Sequence, residues 1–161
     1  MALNKTFIYF YLFLIFFISG CSFIASFFVK SPEVTGINNV ALTEISLTEI
    51  EFVVSLDVMN YNSFSAEVKK AQYKVYLNNE YLGNGFTERS QTLANNKISK
   101  LDLPLRIKYI DLPSNTITLI KEVLKGNKIK YKVEGDADVE AEGFSATVSI
   151  DIEKELTASK N

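Results

Sequence analysis

Four stretches of this chain place an apolar residue at every second position, a period that leaves little room for anything but β-structure. Ile50, Phe52, Val54, Leu56 and Val58 fall on one side of the first run, with Glu51, Ser55 and Asp57 on the other. Ala71, Tyr73, Val75 and Leu77 alternate with Gln72, Lys74 and Asn78. Leu101, Leu103, Leu105, Ile107 and Tyr109 alternate with Asp102, Arg106 and Lys108, and Phe144, Ala146, Val148, Ile150 and Ile152 alternate with Ser145, Thr147, Ser149, Asp151 and Glu153. Successive side chains of a strand point to opposite faces, so each run reads as a half-buried antiparallel strand. Pro104 lies on the polar side of its run and has no amide hydrogen to donate, which predicts a sheet edge there.

Between the runs the pattern stops at turn residues. Asn78-Asn79-Glu80 predicts a hairpin, and Gly83 and Gly85 predict a bulge in the returning strand. Gln91 to Asn96 reads as a polar loop, and Glu142-Gly143 turns the last hairpin. Leu-Thr-Glu-Ile occurs at 42–45 and again at 47–50, an echo too short for a repeat architecture. One helix interrupts the strands. Ser114 or Asn115 supplies its cap, Ile117, Ile120, Val123 and Leu124 form its apolar stripe, and Lys121, Lys125 and Gly126 mark its end. About seven strands and one helix predict a mainly β, antiparallel two-sheet sandwich.

The first residues obey a different solvent. Of the 20 aromatic residues, 10 lie within the first 28 positions, and Phe7 to Ile18 carries no charge. Lys5 precedes this run and Ile18-Ser19-Gly20-Cys21 closes it, the layout of a secretory signal. That tetrapeptide resembles the lipobox of bacterial lipoproteins. Ile18 takes the aliphatic position, Ser19 and Gly20 the small ones, and Cys21, the only cysteine of the chain, the lipidated one. The resemblance implies cleavage between Gly20 and Cys21, a signal peptide at 1–20 and a lipidated tether at 21–31. It also implies an envelope location, at the outer membrane or the outer face of the plasma membrane, because two or more acyl chains anchor stably. A second reading stays open. Thr6 to Val29 is uncharged between Lys5 and Lys30, long enough to span a bilayer uncleaved.

Composition narrows the chemistry. The chain has no histidine, 17 basic and 19 acidic residues and a net charge of −2. Without histidine the Ser-His-Asp and Cys-His arrangements are excluded. One cysteine allows no intrachain disulfide and no zinc or iron–sulfur set. A slightly negative chain with two arginines offers no basic patch for nucleic acid. Lys128, Lys130 and Lys132, then Glu134, Asp136, Asp138, Glu140 and Glu142, form a ladder at alternate positions. Calcium requires converging oxygens, which a straight ladder does not supply, so the ladder reads as a solvated face whose charge blocks edge pairing. Asp136/Asp138 and Glu140/Glu142 are paired by spacing, but no nucleophile or phosphate loop accompanies them, and no catalytic residue, cofactor or metal ligand is assigned.

The order of features resembles the LEA14/WHy domain (late embryogenesis abundant group 2). Val58-Met59-Asn60-Tyr61-Asn62-Ser63-Phe64 matches the Asn-Pro-Asn-x-Phe segment of that family at Asn60, Asn62 and Phe64, with Tyr61 in place of proline. Tyr73 to Asn79, Leu82 to Gly85, Leu103-Pro104-Leu105, Tyr131-x-Val133-x-Gly135 and Gly143 follow in the family's order, so the resemblance spans residues 32–155 and leaves 156–161 as a tail. It implies a fibronectin/immunoglobulin-like sandwich with one helix and a non-catalytic protein of the stress response, desiccation included. Asn60 and Asn62 suit a corner, since short amides bond their own backbone, and are expected to be structural.

The expected function is therefore a membrane-anchored lipoprotein that protects or binds envelope components under stress, its partners being the membrane and envelope proteins. Two alternatives carry their own signs. A lipid or apolar-ligand module would show an open groove between the sheets, and an envelope assembly or adhesion subunit would show an exposed apolar patch.

Overall fold

Among the described residues nine strands run through the domain, seven of them long. The computed structural model describes residues 30–112, 114–157 and 159–160. The elements are β1 (Glu33–Ile45), β2 (Glu49–Asn60), β3 (Ala66–Leu77), β4 (Glu80–Thr87), β5 (Gln91–Leu93), β6 (Lys97–Lys108), α1 (Ser114–Leu124), β7 (Ile129–Ala141), β8 (Phe144–Leu156) and β9 (Ser159–Lys160). One sheet has the order β6-β2-β1-β9, the other β4-β3-β7-β8 with β5 added to β3. All long-strand pairings are antiparallel; β9 alone lies parallel, on β1. The result is the expected β-sandwich.

The alternating residues meet in its middle. Ile50, Phe52, Val54, Leu56 and Val58 from β2 and Leu101, Leu103, Leu105 and Ile107 from β6 are buried against Ala71, Tyr73, Val75 and Leu77 from β3 and Tyr131, Val133, Ala137 and Val139 from β7. Truncating one of these side chains, Leu56 for example, costs about 2–5 kcal/mol through lost transfer energy and the cavity left behind. Residues Ser31–Asn161 form one compact unit, and the buried core cluster lies wholly within it.

The hairpins follow the local chemistry. Asn78 and Asn79 adopt φ of 48° and 69°, a two-residue turn whose left-handed geometry short amides tolerate. The bulge falls beside Gly83, where the β3–β4 register slips between Val75/Gly83 and Tyr76/Tyr81. The end of α1 is closed by Gly126 N–H to Val123 O (3.0 Å) and Asn127 N–H to Glu122 O (3.1 Å), the pattern of a glycine-terminated helix.

Several local expectations are corrected. Gln91 to Asn96 is not simply a polar loop: Gln91–Leu93 is a strand, and Leu93 is fully buried. Three residues are too few for alternation to register. Tyr109 leaves the β6 pattern for a 3-10 turn at Tyr109–Asp111. Ser114 and Asn115 lie inside α1, and Asn115 spends its amide on Glu80 Oε2 at 2.9 Å. The buried stripe of α1 is Thr116, Ile120 and Val123, with Ile117 only half-buried. The charged ladder of β7 guards no edge, because β7 lies between β3 and β8.

The predicted edge at Pro104 holds: β6 is the outermost strand of its sheet. Its free side is blunted twice. The Gln91 side chain mimics a strand, donating to Asp102 O (2.8 Å) and accepting from Asp102 N–H (2.7 Å). Two residues on, Pro104 has no hydrogen to offer, and its carbonyl accepts the hydroxyl of Tyr73, which reaches across from the other sheet. An edge so occupied resists pairing with a second chain.

Candidate functional site

The family corner is a buried hydrogen-bond junction. At the end of β2 the fully buried Asn60 donates its side-chain amide to Phe64 O (2.9 Å) and Leu93 O (3.2 Å). Its side-chain oxygen accepts from the Asn62 backbone N–H (3.0 Å) and side-chain amide (2.9 Å). Asn62 O in turn accepts from Asn96 N–H at 3.0 Å. Two donors and two lone pairs are the whole capacity of an amide, so Asn60 has none left for a ligand. Asn60 ties the β2–β3 crossover to β5, and Asn62 ties it to the residue before β6. Tyr61, at the proline position, sends its hydroxyl to Glu33 Oε2 at 2.9 Å, and the adjacent carboxylate raises its pKa. Phe64 is half-buried.

Gly20 and Cys21, the positions of the expected cleavage and lipid attachment, lie outside the described residues. Among the described residues no helix is long and apolar enough to cross a membrane.

The outer face of the five-stranded sheet carries the expected ladder, and cross-strand partners organise it. Lys70 Nζ meets Asp138 Oδ2 at 3.1 Å, and Thr147 Oγ1 donates to Asp138 Oδ1 at 3.1 Å. Lys132 Nζ sits 2.5 Å from Glu134 and 3.6 Å from Asp151, and Lys130 pairs with Glu153 at 3.0 Å. Lys132 and the Tyr76 hydroxyl hold the Glu134 carboxyl below its usual range, and Lys70 with Thr147 does the same to Asp138. Among the described residues no three carboxylates converge on a point that a metal could occupy.

Within that face lies a concavity of about 500 Å³ over the middle of β4, β3 and β7, lined by Gln72, Lys74, Asn84, Phe86, Glu134 and Asp136 with the backbone around Tyr73, Gly85 and Gly135. Both glycines stand opposite Tyr73 in register. A Cβ on Gly85 would overlap the Tyr73 ring, and one on Gly135 would overlap the Gln72 carbonyl oxygen. Their bareness lets the three strands close on Tyr73. One cross-strand row, Phe86–Gln72–Asp136–Ser149, runs through the concavity. Sequence reasoning singled out Asp136 alone among these. The signal was Phe86, a large apolar residue on the polar side of β4 and 51 % exposed.

A second feature sits at the far end of the sandwich. The β1–β2 hairpin tip carries Leu47 at 99 % exposure, and the turn after β6 carries Ile110 at 90 %. Tyr109 N–H bonds Thr48 O at 3.0 Å, which joins the two segments. β1 runs 13 residues from Glu33 toward this tip, so the tip stands roughly 40 Å from the point where the chain enters the sheet.

Two antiparallel sheets with one helix, joined at a corner locked by the buried Asn60 amide, define a β-sandwich domain. The sequence matches the model of the late embryogenesis abundant protein family over residues 55–155, and the chain belongs to that family. No curated protein sequence matches it. Among solved structures it is similar to a protein from Arabidopsis thaliana (16 % identity, 83 % of this chain and 87 % of that one, TM-score 0.59). It is also similar to a late embryogenesis abundant protein (18 % identity, 89 % and 78 %, TM-score 0.51), and to a protein from Archaeoglobus fulgidus (17 % identity, 81 % and 98 %, TM-score 0.48). At such identities the first two likenesses speak to the fold.

Proposed function

We propose that this chain is a membrane-tethered, non-catalytic LEA domain that protects or holds envelope components when water is withdrawn. The observation that carries the reading is a completed domain: the core is filled by its own side chains and the corner amide is saturated. What such a domain offers to a partner is its surface. That surface interleaves both signs of charge, which leaves no large field of one sign and allows weak contacts with many partners. The Ile18-Ser19-Gly20-Cys21 box supports a lipid tether, with residues 1–20 removed.

Two experiments test it. Cells fed labelled palmitate should label the wild type and not Cys21→Ala, whose precursor stays uncleaved; unlabelled wild type retaining residues 1–20 points to the spanning helix instead. The domain from Ser31 should slow aggregation of an unrelated enzyme during drying or freeze–thaw, with or without a chelator. Equal protection by an unrelated sandwich of the same size and charge withdraws the protective assignment.

The adhesion alternative has one observation in its favour, the aliphatic tip at Leu47 and Ile110. Joint replacement of both by serine should abolish membrane-protein pull-down if that reading is right and leave drying protection intact. The apolar-ligand alternative asks for a groove between the sheets; Tyr73, Tyr131 and their neighbours are packed in the middle, and a concavity of about 340 Å³ opens at the β4–β6 side, lined by Phe86, Phe52, Pro104 and Arg106.

A further inference from the structure

On the outer face of the five-stranded sheet, neighbouring rows differ in one respect. The row at Lys70 and Asp138 is closed by an ion pair and a hydroxyl. In the row of Asn84, Lys74, Glu134 and Asp151, Asn84 accepts the Tyr81 hydroxyl at 3.1 Å, and Lys132 holds both carboxylates. Beyond it, Tyr76 and Tyr81 stack edge to face at 5.8 Å. The row between the first two, Phe86–Gln72–Asp136–Ser149, has no such closure: among the described residues no side chain bonds Gln72, Asp136 or Ser149. Phe86, Gln72 and Asp136 of this row line the concavity beside Asn84, Lys74 and Glu134 of its neighbour.

Its chemistry is specific. Phe86 presents a half-exposed ring at one end, whose electron-rich face attracts the weakly positive C–H groups of a flat partner. Gln72 supplies two donors and an acceptor, and Asp136 supplies acceptor sites only. Hydroxyl-rich rings are the ligands that need all of these at once, a C–H face to stack and O–H groups that both give and take. From Phe86 to Asp136 is two strand spacings, about 10 Å, enough for two linked pyranose rings lying across the strands. Lys74, Glu134 and Asp136 line the concavity and Lys132 pairs with Glu134 beside it, so the charges of both signs nearly balance and suit a neutral occupant.

We propose that this row is a saccharide-binding face, with Phe86 as the stacking platform, Gln72 as the donor–acceptor and Asp136 as the hydroxyl acceptor for a neutral glycan chain. The proposal stands on the five-stranded sheet alone and is independent of the tether and of drying protection. Gly85 and Gly135 serve it indirectly, since their bareness shapes the concavity.

The test is calorimetric titration of the full-length chain, in a non-glycosidic detergent, with chitohexaose and with cellohexaose. Wild type and Asp138→Asn should bind at least one hexasaccharide, while Phe86→Ala, Gln72→Ala and Asp136→Asn should each weaken it by about fivefold or more. All these positions face solvent, and an unchanged melting temperature in any two of the three weakened variants suffices for the comparison. Absence of binding to both hexasaccharides overturns the proposal, as does equal affinity across the variants. A lysine-rich peptide that binds wild type but not Asp136→Asn, where neither hexasaccharide binds, also overturns it and makes the face a site for cationic peptides.

Discussion

Two buried tyrosines of the same sheet give opposite expectations for the same substitution. Tyr73 and Tyr131 are 3 % and 1 % exposed. The Tyr73 hydroxyl donates to Pro104 O in the opposite sheet, whereas the Tyr131 hydroxyl has no hydrogen-bond partner among the described residues. Tyr73→Phe removes one bond and leaves the edge carbonyl of Pro104 unpaired, a loss of about 1–2 kcal/mol. Tyr131→Phe removes a buried polar atom that gains nothing from its surroundings, so stability should stay level or rise by up to about 1 kcal/mol. Urea denaturation of the domain 31–161 reads the difference directly, and for a domain of this size 1 kcal/mol moves the melting temperature by about 3–5 °C. The alkaline limb supplies a second readout. Burial pushes the Tyr131 hydroxyl up to about 12 from 10.0 and raises that of Tyr73 further. A raised folded pKa means that the contribution is complete below the unfolded value, near 10, and is lost as pH rises through the folded one. Tyr131→Phe should therefore flatten the loss of stability between about pH 10 and 12. If Tyr131→Phe destabilises the domain as much as Tyr73→Phe does, the Tyr131 hydroxyl is bonded in solution and the reasoning fails.

Other expectations follow from the same geometry. Asn60→Ala strands the carbonyls of Phe64 and Leu93 and the N–H of Asn62, and should cost about 3 kcal/mol or more, read as a lower urea midpoint; a loss no larger than that of an exposed asparagine would refute the junction. Gly135→Ala should lower the melting temperature more than Gly36→Ala, because a Cβ at 135 meets the β3 backbone while one at 36 meets nothing within 4 Å. Glu67, Glu134 and Asp138 have carboxyls lowered from 4.5, 4.5 and 3.8 by the lysines beside them. Their contribution is present above those values and lost as pH falls through the lower folded ones. The melting temperature should thus drop below about pH 4.5, and less steeply in high salt; an acid limb identical in Asp138→Asn would remove Asp138 from the explanation.

Strand identity was legible in the residues themselves. Alternation at 50–58, 71–77, 101–107 and 144–152 depends only on each segment's need to hide one face, and every one of Phe52, Leu56, Tyr73, Leu105 and Val148 is buried. The Asn78-Asn79 hairpin and the Gly126 helix end are local too, set by which residues accept left-handed angles. The corner is local only in part: Asn60 bonds Asn62 and Phe64 nearby, but also Leu93, 33 positions away.

What the residues could not announce is which strand lies beside which. The β7 ladder looks the same at an edge as in the middle of a sheet, and only its pairing with β3 and β8 shows that its acids answer the lysines of β3. Leu93 sits in a segment of three strand residues, too short for any period, and its burial follows from a partner 25 or more positions upstream, Ala66. Tyr73 reaches a carbonyl 31 positions away, and Phe86, Gln72, Asp136 and Ser149 become one row only when four strands fall into register. Periodicity reports the solvent on either side of a strand and is written into each segment. Register and strand order come from shape and hydrogen-bond matching between segments far apart in the chain, and these exist only once the sandwich has closed.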